Sequence, residues 1–170
     1  MADSLDPEAG VLAALERLGA AYQRVEIDPA FADTAAFCER YGFPPEKSAN
    51  TILVASKKEP KSYAACVVLA TTRLDVNHVV RRLLGVPRLS FATAEETAAL
   101  TGMKVGGVTP FNLPDGLPVY VDDAVMGCEF VILGGGGRSS KLKLAPDVLR
   151  RLPNAQVVPG LAQPRESRTT

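Results

Sequence analysis

Apolar positions along this 170-residue chain change period several times, and each change marks an element. Val11, Leu12, Leu15 and Leu18 recur at helical spacing behind the start signal Asp6-Pro7, until Gly19 ends the pattern, which predicts an amphipathic first helix. Residues 22–27 alternate as a short strand does, and residues 33–42 read as a helix opened by Asp33 and closed by Gly42. The stretches 50–56 and 62–70 are continuous apolar runs rich in valine and isoleucine, joined by the turn KKEPK. Such runs suit strands buried on both faces, so they are expected to pair as a hairpin at the centre of a sheet.

Residues 75–85 form the next predicted helix, capped by Asp75 and burying Val76, Val79, Val80, Leu83 and Leu84; the sequence TAEE at 93–96 is a capping box that opens another. Strands are predicted at 117–122 and 128–134, followed by the turn GGGGR at 134–138, a short strand, and a helix with Pro146 in its first turn. Residues 156–170 are polar and aperiodic and are expected to be a partly disordered tail. Hairpins and scattered helices, without regular βαβ units, point to an α+β domain over residues 1–155, its sheet mixed, curved and largely antiparallel in its hairpins.

Composition narrows the function classes. A hydrophobic content of 46% over this length supports one core of ordinary size. Nineteen basic residues balance nineteen acidic ones, so contact with a nucleic acid has to come from local patches, and DNA is not an expected partner. Cys38, Cys66 and Cys128 are widely spaced and read as packed thiols in a reducing compartment. No apolar run approaches the roughly 20 residues that cross a bilayer, so the expectation is a cytoplasmic protein with no membrane partner. No metal site and no cofactor are expected.

Side chains suited to nucleophilic or acid–base chemistry are scarce. His78, the single histidine, falls at a helical position beside Asn77 and reads as a solvated residue. Asp122 and Asp123, at a strand end, read as caps of the following turn. The unusual segment is GMKVGGVTPFNLP at 102–114, where Gly102, Gly106 and Gly107 free the backbone while Pro110 and Pro114 restrict it. Two readings stand: an ordinary structural turn, or a nest of peptide N–H groups that holds an anion or a developing oxyanion. GGGGR lacks the GxxxxGK[ST] pattern and is followed by a strand, so it reads as a hairpin turn and not as a phosphate loop.

Taken in order, the loop G-x-x-x-G-G-V-T-P-F, the strand P-V-Y-V-D, the turn G-G-G-x-R and the closing L-x-L-x-P-x-x-L resemble the YbaK/ProX family of prolyl-tRNA synthetase-associated editing domains, from about residue 10 to 152. The resemblance implies an aminoacyl-tRNA deacylase acting in trans, in which the glycine-loop backbone meets the aminoacyl ester and a hydroxyl of the tRNA's own end assists hydrolysis. It places Gly106, Gly107, Val108, Thr109 and Pro110 at the acceptor end of an aminoacyl-tRNA. Family members carry a functional lysine just before the first core strand; here Asn50 stands there. Lys141, after the GGGGR turn, is the first candidate to replace it, and Lys47 the second. Met103, Phe111 and Val131 are expected to shape the pocket, with Arg138, Lys141 and Lys143, and a second patch of Arg81, Arg82 and Arg88, contacting tRNA. The alternative is a member that has lost hydrolysis and binds tRNA, a synthetase or an aminoacyl ligand.

Overall fold

A computed structural model describes residues 6–165. Helix α1 (Pro7–Arg17) is capped by the Asp6 carboxylate and buries Val11 and Leu15. Strand β1 (Tyr22–Glu26) leads through a 3-10 turn to α2 (Thr34–Tyr41), which Gly42 ends in the left-handed conformation at φ 77°. β2 (Ala49–Ser56) and β3 (Tyr63–Leu69) form the expected hairpin, with Ile52 opposite Cys66. Then come β4 (Thr72–Leu74), a π-helical turn Val76–Val80 that runs into α3 (Arg81–Leu84), β5 (Leu89–Phe91) and α4 (Ala94–Thr101). After the glycine loop follow β6 (Val119–Asp122), α5 (Asp123–Met126), β7 (Val131–Gly134), β8 (Ser140–Leu144), a 3-10 helix Pro146–Arg151, β9 (Ala155–Val158) and β10 (Ala162–Pro164).

The main sheet has the order β5-β2-β3-β6-β9 and is mixed: β5, β2 and β3 pair antiparallel, whereas β6 runs parallel to both β3 and β9. β3 is central and packed on both faces, which is why its sequence is apolar without alternation. Ala65, Val67 and Leu69 face one core, with Val11 and Leu15 of α1 and Leu133 and Leu142 of β7 and β8. Ala64, Cys66 and Val68 face the other, with Val76, Val80 and Leu161. β1, β8 and β7 make a separate antiparallel sheet, and a bridge between Ser48 and Ile132 ties it to the start of β2.

Several expectations change. The segment read as a tail beyond residue 155 carries β9, an edge of the main sheet, and β10, which pairs with β4; Leu161 and Ala162 are buried. Two apolar residues between glycine and proline are too few to show a period, yet enough to fill the gap beside Val76. Residues 166–170 of that expected tail lie outside the described residues. The helix predicted at Pro146 is 3-10, and β7 begins at Val131, leaving Cys128 half-buried in the bend before it. Asp122 stands at the N-cap position of α5 but makes no side-chain cap; its Oδ1 is buried with no hydrogen-bond partner.

Candidate active site

The chemistry-bearing residues collect around a cleft of about 440 Å³ between β2, the start of α2, the β5–α4 corner, the glycine loop and β8. β2 supplies Asn50, Thr51 and Leu53; the loop supplies Val105, Gly106 and Val108; β8 supplies Lys141. Lys141 and Lys143 leave the same face of β8 because strand side chains alternate, while Leu142 and Leu144 enter the core. Lys143 and Lys47 approach the Phe130 ring, 4.4 and 4.6 Å from its centroid, and neither lines the cleft.

Lys141 is only 6% exposed. Its Nζ donates to the Gly106 carbonyl oxygen at 2.9 Å and lies 5.6 Å from the centre of the Phe37 ring. Burial pushes this ammonium down from the ordinary 10.5 to about 8; the Asp33 carboxylate opposes the shift, and the Arg138 guanidinium adds to it. A lysine in this state remains a cation near neutral pH, and it has two further N–H donors for a ligand. Asn50 lines the same cleft, its Oδ1 accepting from Thr34 Oγ1 at 2.7 Å, so the part of the side chain left to meet a ligand is the amide N–H, a donor. Sequence alone places these two residues 91 positions apart; the fold places both on one cavity.

The glycine loop is held by backbone approach. Gly106 has φ +92°, a conformation L side chains rarely adopt, and a Cβ there would run into the Arg138 guanidinium. At Gly107 a Cβ would collide with the Gly137 carbonyl, since the two glycine-rich loops cross without side chains between them. Gly107 N–H is engaged by the Lys104 carbonyl at 2.8 Å and its own carbonyl accepts from Gly136 N–H at 2.7 Å. The GGGGR turn therefore supports the loop instead of holding a phosphate, and Gly107 stitches the two together instead of donating to a ligand.

Arg138, expected at the substrate, is occupied by the protein: Nη1 donates to the Val105 carbonyl at 2.6 Å and to Asp33 Oδ1 at 3.2 Å, and Nη2 to the Pro29 carbonyl at 2.9 Å. It positions the loop and the start of α2, and it diverts the Asp33 side chain from capping that helix. Below the turn, Glu8 of α1 accepts from Ser139 N–H, Ser139 Oγ, Ser140 Oγ and Arg24. Its burial favours the neutral acid, but these donors outweigh that and hold the carboxyl below its ordinary range.

Other expected positions fall away from the cleft. Met103, Phe111 and Val131 are fully buried in the main core, Thr109 is buried with an unpartnered hydroxyl, and Pro110 borders a different cleft near Asn112 and Leu152. In a loop so rich in glycine, one residue faces the cavity while its neighbour faces the core, and no period tells which. His78 is exposed and bonded to Asp75; Cys66 lies in β3, where burial pushes its thiol up to about 12. Thr34, Thr51, Phe91, Thr97 and Val105 line the cleft and were not singled out from sequence. Among the described residues no helix is long and apolar enough to cross a membrane, and no three metal-binding side chains cluster.

The fold that carries this cleft, one α+β domain built on a mixed sheet, is shared with known proteins. Residues 28–152 match the aminoacyl-tRNA editing domain, and the chain belongs to that family. Among solved structures it is similar to a hypothetical protein, APE2540, with 24% identity and a TM-score of 0.80 over 91% of this chain and 99% of that one. It is also similar to "a putative trans-editing enzyme for prolyl tRNA synthetase", with 29% identity and a TM-score of 0.76 over 94% of this chain and 99% of that one.

Proposed function

We propose that this protein is a trans-acting aminoacyl-tRNA deacylase that hydrolyses the ester of a tRNA carrying a wrong, small amino acid, with tRNA for proline as the first substrate to examine. Family membership supports editing as the class of activity, and the similar structure described for prolyl-tRNA synthetase supports the tRNA. The observation that carries the reading for this chain is the buried Lys141 ammonium beside Gly106, in the cleft that Asn50 also lines, at the position where the resemblance implies a lysine.

In the reaction, water adds to the ester carbonyl carbon, the carbonyl oxygen becomes an oxyanion, and the bond to the terminal ribose oxygen breaks, giving a free amino acid and a free tRNA hydroxyl. Lys141 supplies positive charge at the oxyanion and Asn50 a neutral donor. The proton leaves water through the tRNA's adjacent ribose hydroxyl, which takes it up as it gives its own proton to the departing ribose oxygen, so that the freed tRNA hydroxyl is neutral. Gly106 has no Cβ, so the ester approaches the backbone there closely. The partner is the acceptor end of an aminoacyl-tRNA, the setting is the cytoplasm, and neither cofactor nor metal is required. Asn50 favours one competing reading, a member that binds the acceptor end without hydrolysis. Incubating the protein with tRNA for proline charged with a series of small amino acids separates them: release of the amino acid supports the deacylase, and binding without release supports the binder.

A further inference from the structure

Tyr22, Phe91 and Val105 are the exposed large apolar side chains of the described surface, and two of them stand at the same cleft. Phe91 ends the edge strand β5 and is 56% exposed; Val105 lies in the glycine loop and is 58% exposed. They come from different elements. Each leaves apolar area in water that folding does not cover, and both border the cavity that holds Lys141. Exposed cations flank them, Arg88 three residues before Phe91 and Lys104 beside Val105.

We propose that Phe91 and Val105 form an apolar clamp at the mouth of the cleft that holds the base of the substrate's terminal nucleoside, with Phe91 stacked on its face. This rests on the reading of the cleft as an aminoacyl-ester site. Covalent geometry carries the step: the ester and the base are attached to one ribose, so an ester seated at Lys141 leaves its base one sugar ring away. A volume near 440 Å³ also exceeds what a small aminoacyl group fills and lies within the roughly 300–1,000 Å³ of small-molecule pockets. Every base has a π face, so an exposed phenylalanine is a platform for it, and the flanking cations suit the adjoining phosphates. The alternative occupant of such a patch is a second copy of the chain.

The test uses the full chain and an acceptor-stem RNA hairpin whose terminal adenine is replaced by 2-aminopurine, a base whose fluorescence falls when it stacks. Wild type is expected to quench it. Phe91→Ala should lose the quenching and bind about tenfold or more weakly, in line with the loss of one base–aromatic stack, and Phe91→Tyr should restore both. With mischarged tRNA, Phe91→Ala should raise KM more than it lowers kcat, because the clamp binds substrate and transition state alike. Equal quenching by wild type and Phe91→Ala, or none by wild type, overturns the clamp even where hydrolysis proceeds. Quenching that depends on Phe91 without any hydrolysis supports the clamp and sinks the deacylase reading instead. Self-association that Phe91→Ala abolishes, with no quenching of the RNA, assigns the patch to a second copy and overturns the proposal.

Discussion

The Nζ of Lys141 lies 2.9 Å from the carbonyl oxygen of Gly106, which makes one buried cation the link between β8 and the glycine loop. The bond keeps the ammonium at the cleft, yet one neutral carbonyl does not replace the water the charge has lost. The lowering of its proton affinity to about 8 records that imbalance.

Stability should therefore respond to Lys141 and to pH together. Unfolded, the lysine keeps its proton up to about 10.5; folded, it begins to release it near 8, so the unfolded chain binds more protons between these values and stability rises with pH there. Below about 8 the folded protein bears the whole cost, on the order of 3 kcal/mol from the difference in pKa. Lys141→Met should melt at a higher temperature than wild type at neutral pH, less about 1 kcal/mol for the lost bond to Gly106. Thermal melts from pH 7 to pH 10 should show the gap closing as pH rises. A gap that is constant or negative throughout would mean that the ammonium is well compensated.

Gly107 acts through the fold. Gly107→Ala places a methyl group against the Gly137 backbone and should destabilise by roughly 1–3 kcal/mol, as overpacking does. Calorimetry should find the melting temperature lowered by several degrees, with deacylation falling as the two loops part. An unchanged melting temperature would show that the crossing yields without cost.

Glu8 anchors the turn below the site through four donors from Arg24, Ser139 and Ser140. Glu8→Gln puts an amide N–H₂ where an acceptor is needed and should lower stability by about 1–3 kcal/mol at neutral pH. Because the folded carboxyl is held below its unfolded value near 4.5, its contribution is present above that pH and is lost as pH falls through the depressed value. Denaturation curves of the two proteins should converge in acid. Parallel curves down to low pH would remove Glu8 from this role.

How much of this was legible in the sequence depended on the length of the signal. The runs in β2 and β3, the Asp6-Pro7 start and the Thr93–Glu96 capping box each span enough residues to impose one structure, and each forms where the pattern places it. β4, β5 and β10 have three residues each and are created by their partners, so no local pattern marks them. In the site, the resemblance, with Asn50 where it implies a lysine, pointed to Lys141 after the GGGGR turn as the replacement cation, and strand alternation explains why it and not Leu142 meets the cleft. The loop resisted the same treatment: Met103 and Phe111 look as suitable for a pocket as Val105 does, and only tertiary packing sends the first two inward. Arg138 was legible as a cation but not as one already held by Asp33, Pro29 and Val105, which lie far from it in the chain.

In the proposed reaction Lys141 supplies the charge that Asn50 does not. Single-turnover deacylation of a mischarged tRNA by wild type, Lys141→Ala and Lys141→Ala/Asn50→Lys tests it most directly. Lys141→Ala is expected to lose on the order of 10²–10³ in rate, the effect of removing one transition-state donor, and the second change to restore a substantial part by returning a cation to the same cleft. An active wild type whose rate is indifferent to Lys141→Ala would contradict the account and leave the glycine loop and the tRNA hydroxyl as sufficient machinery.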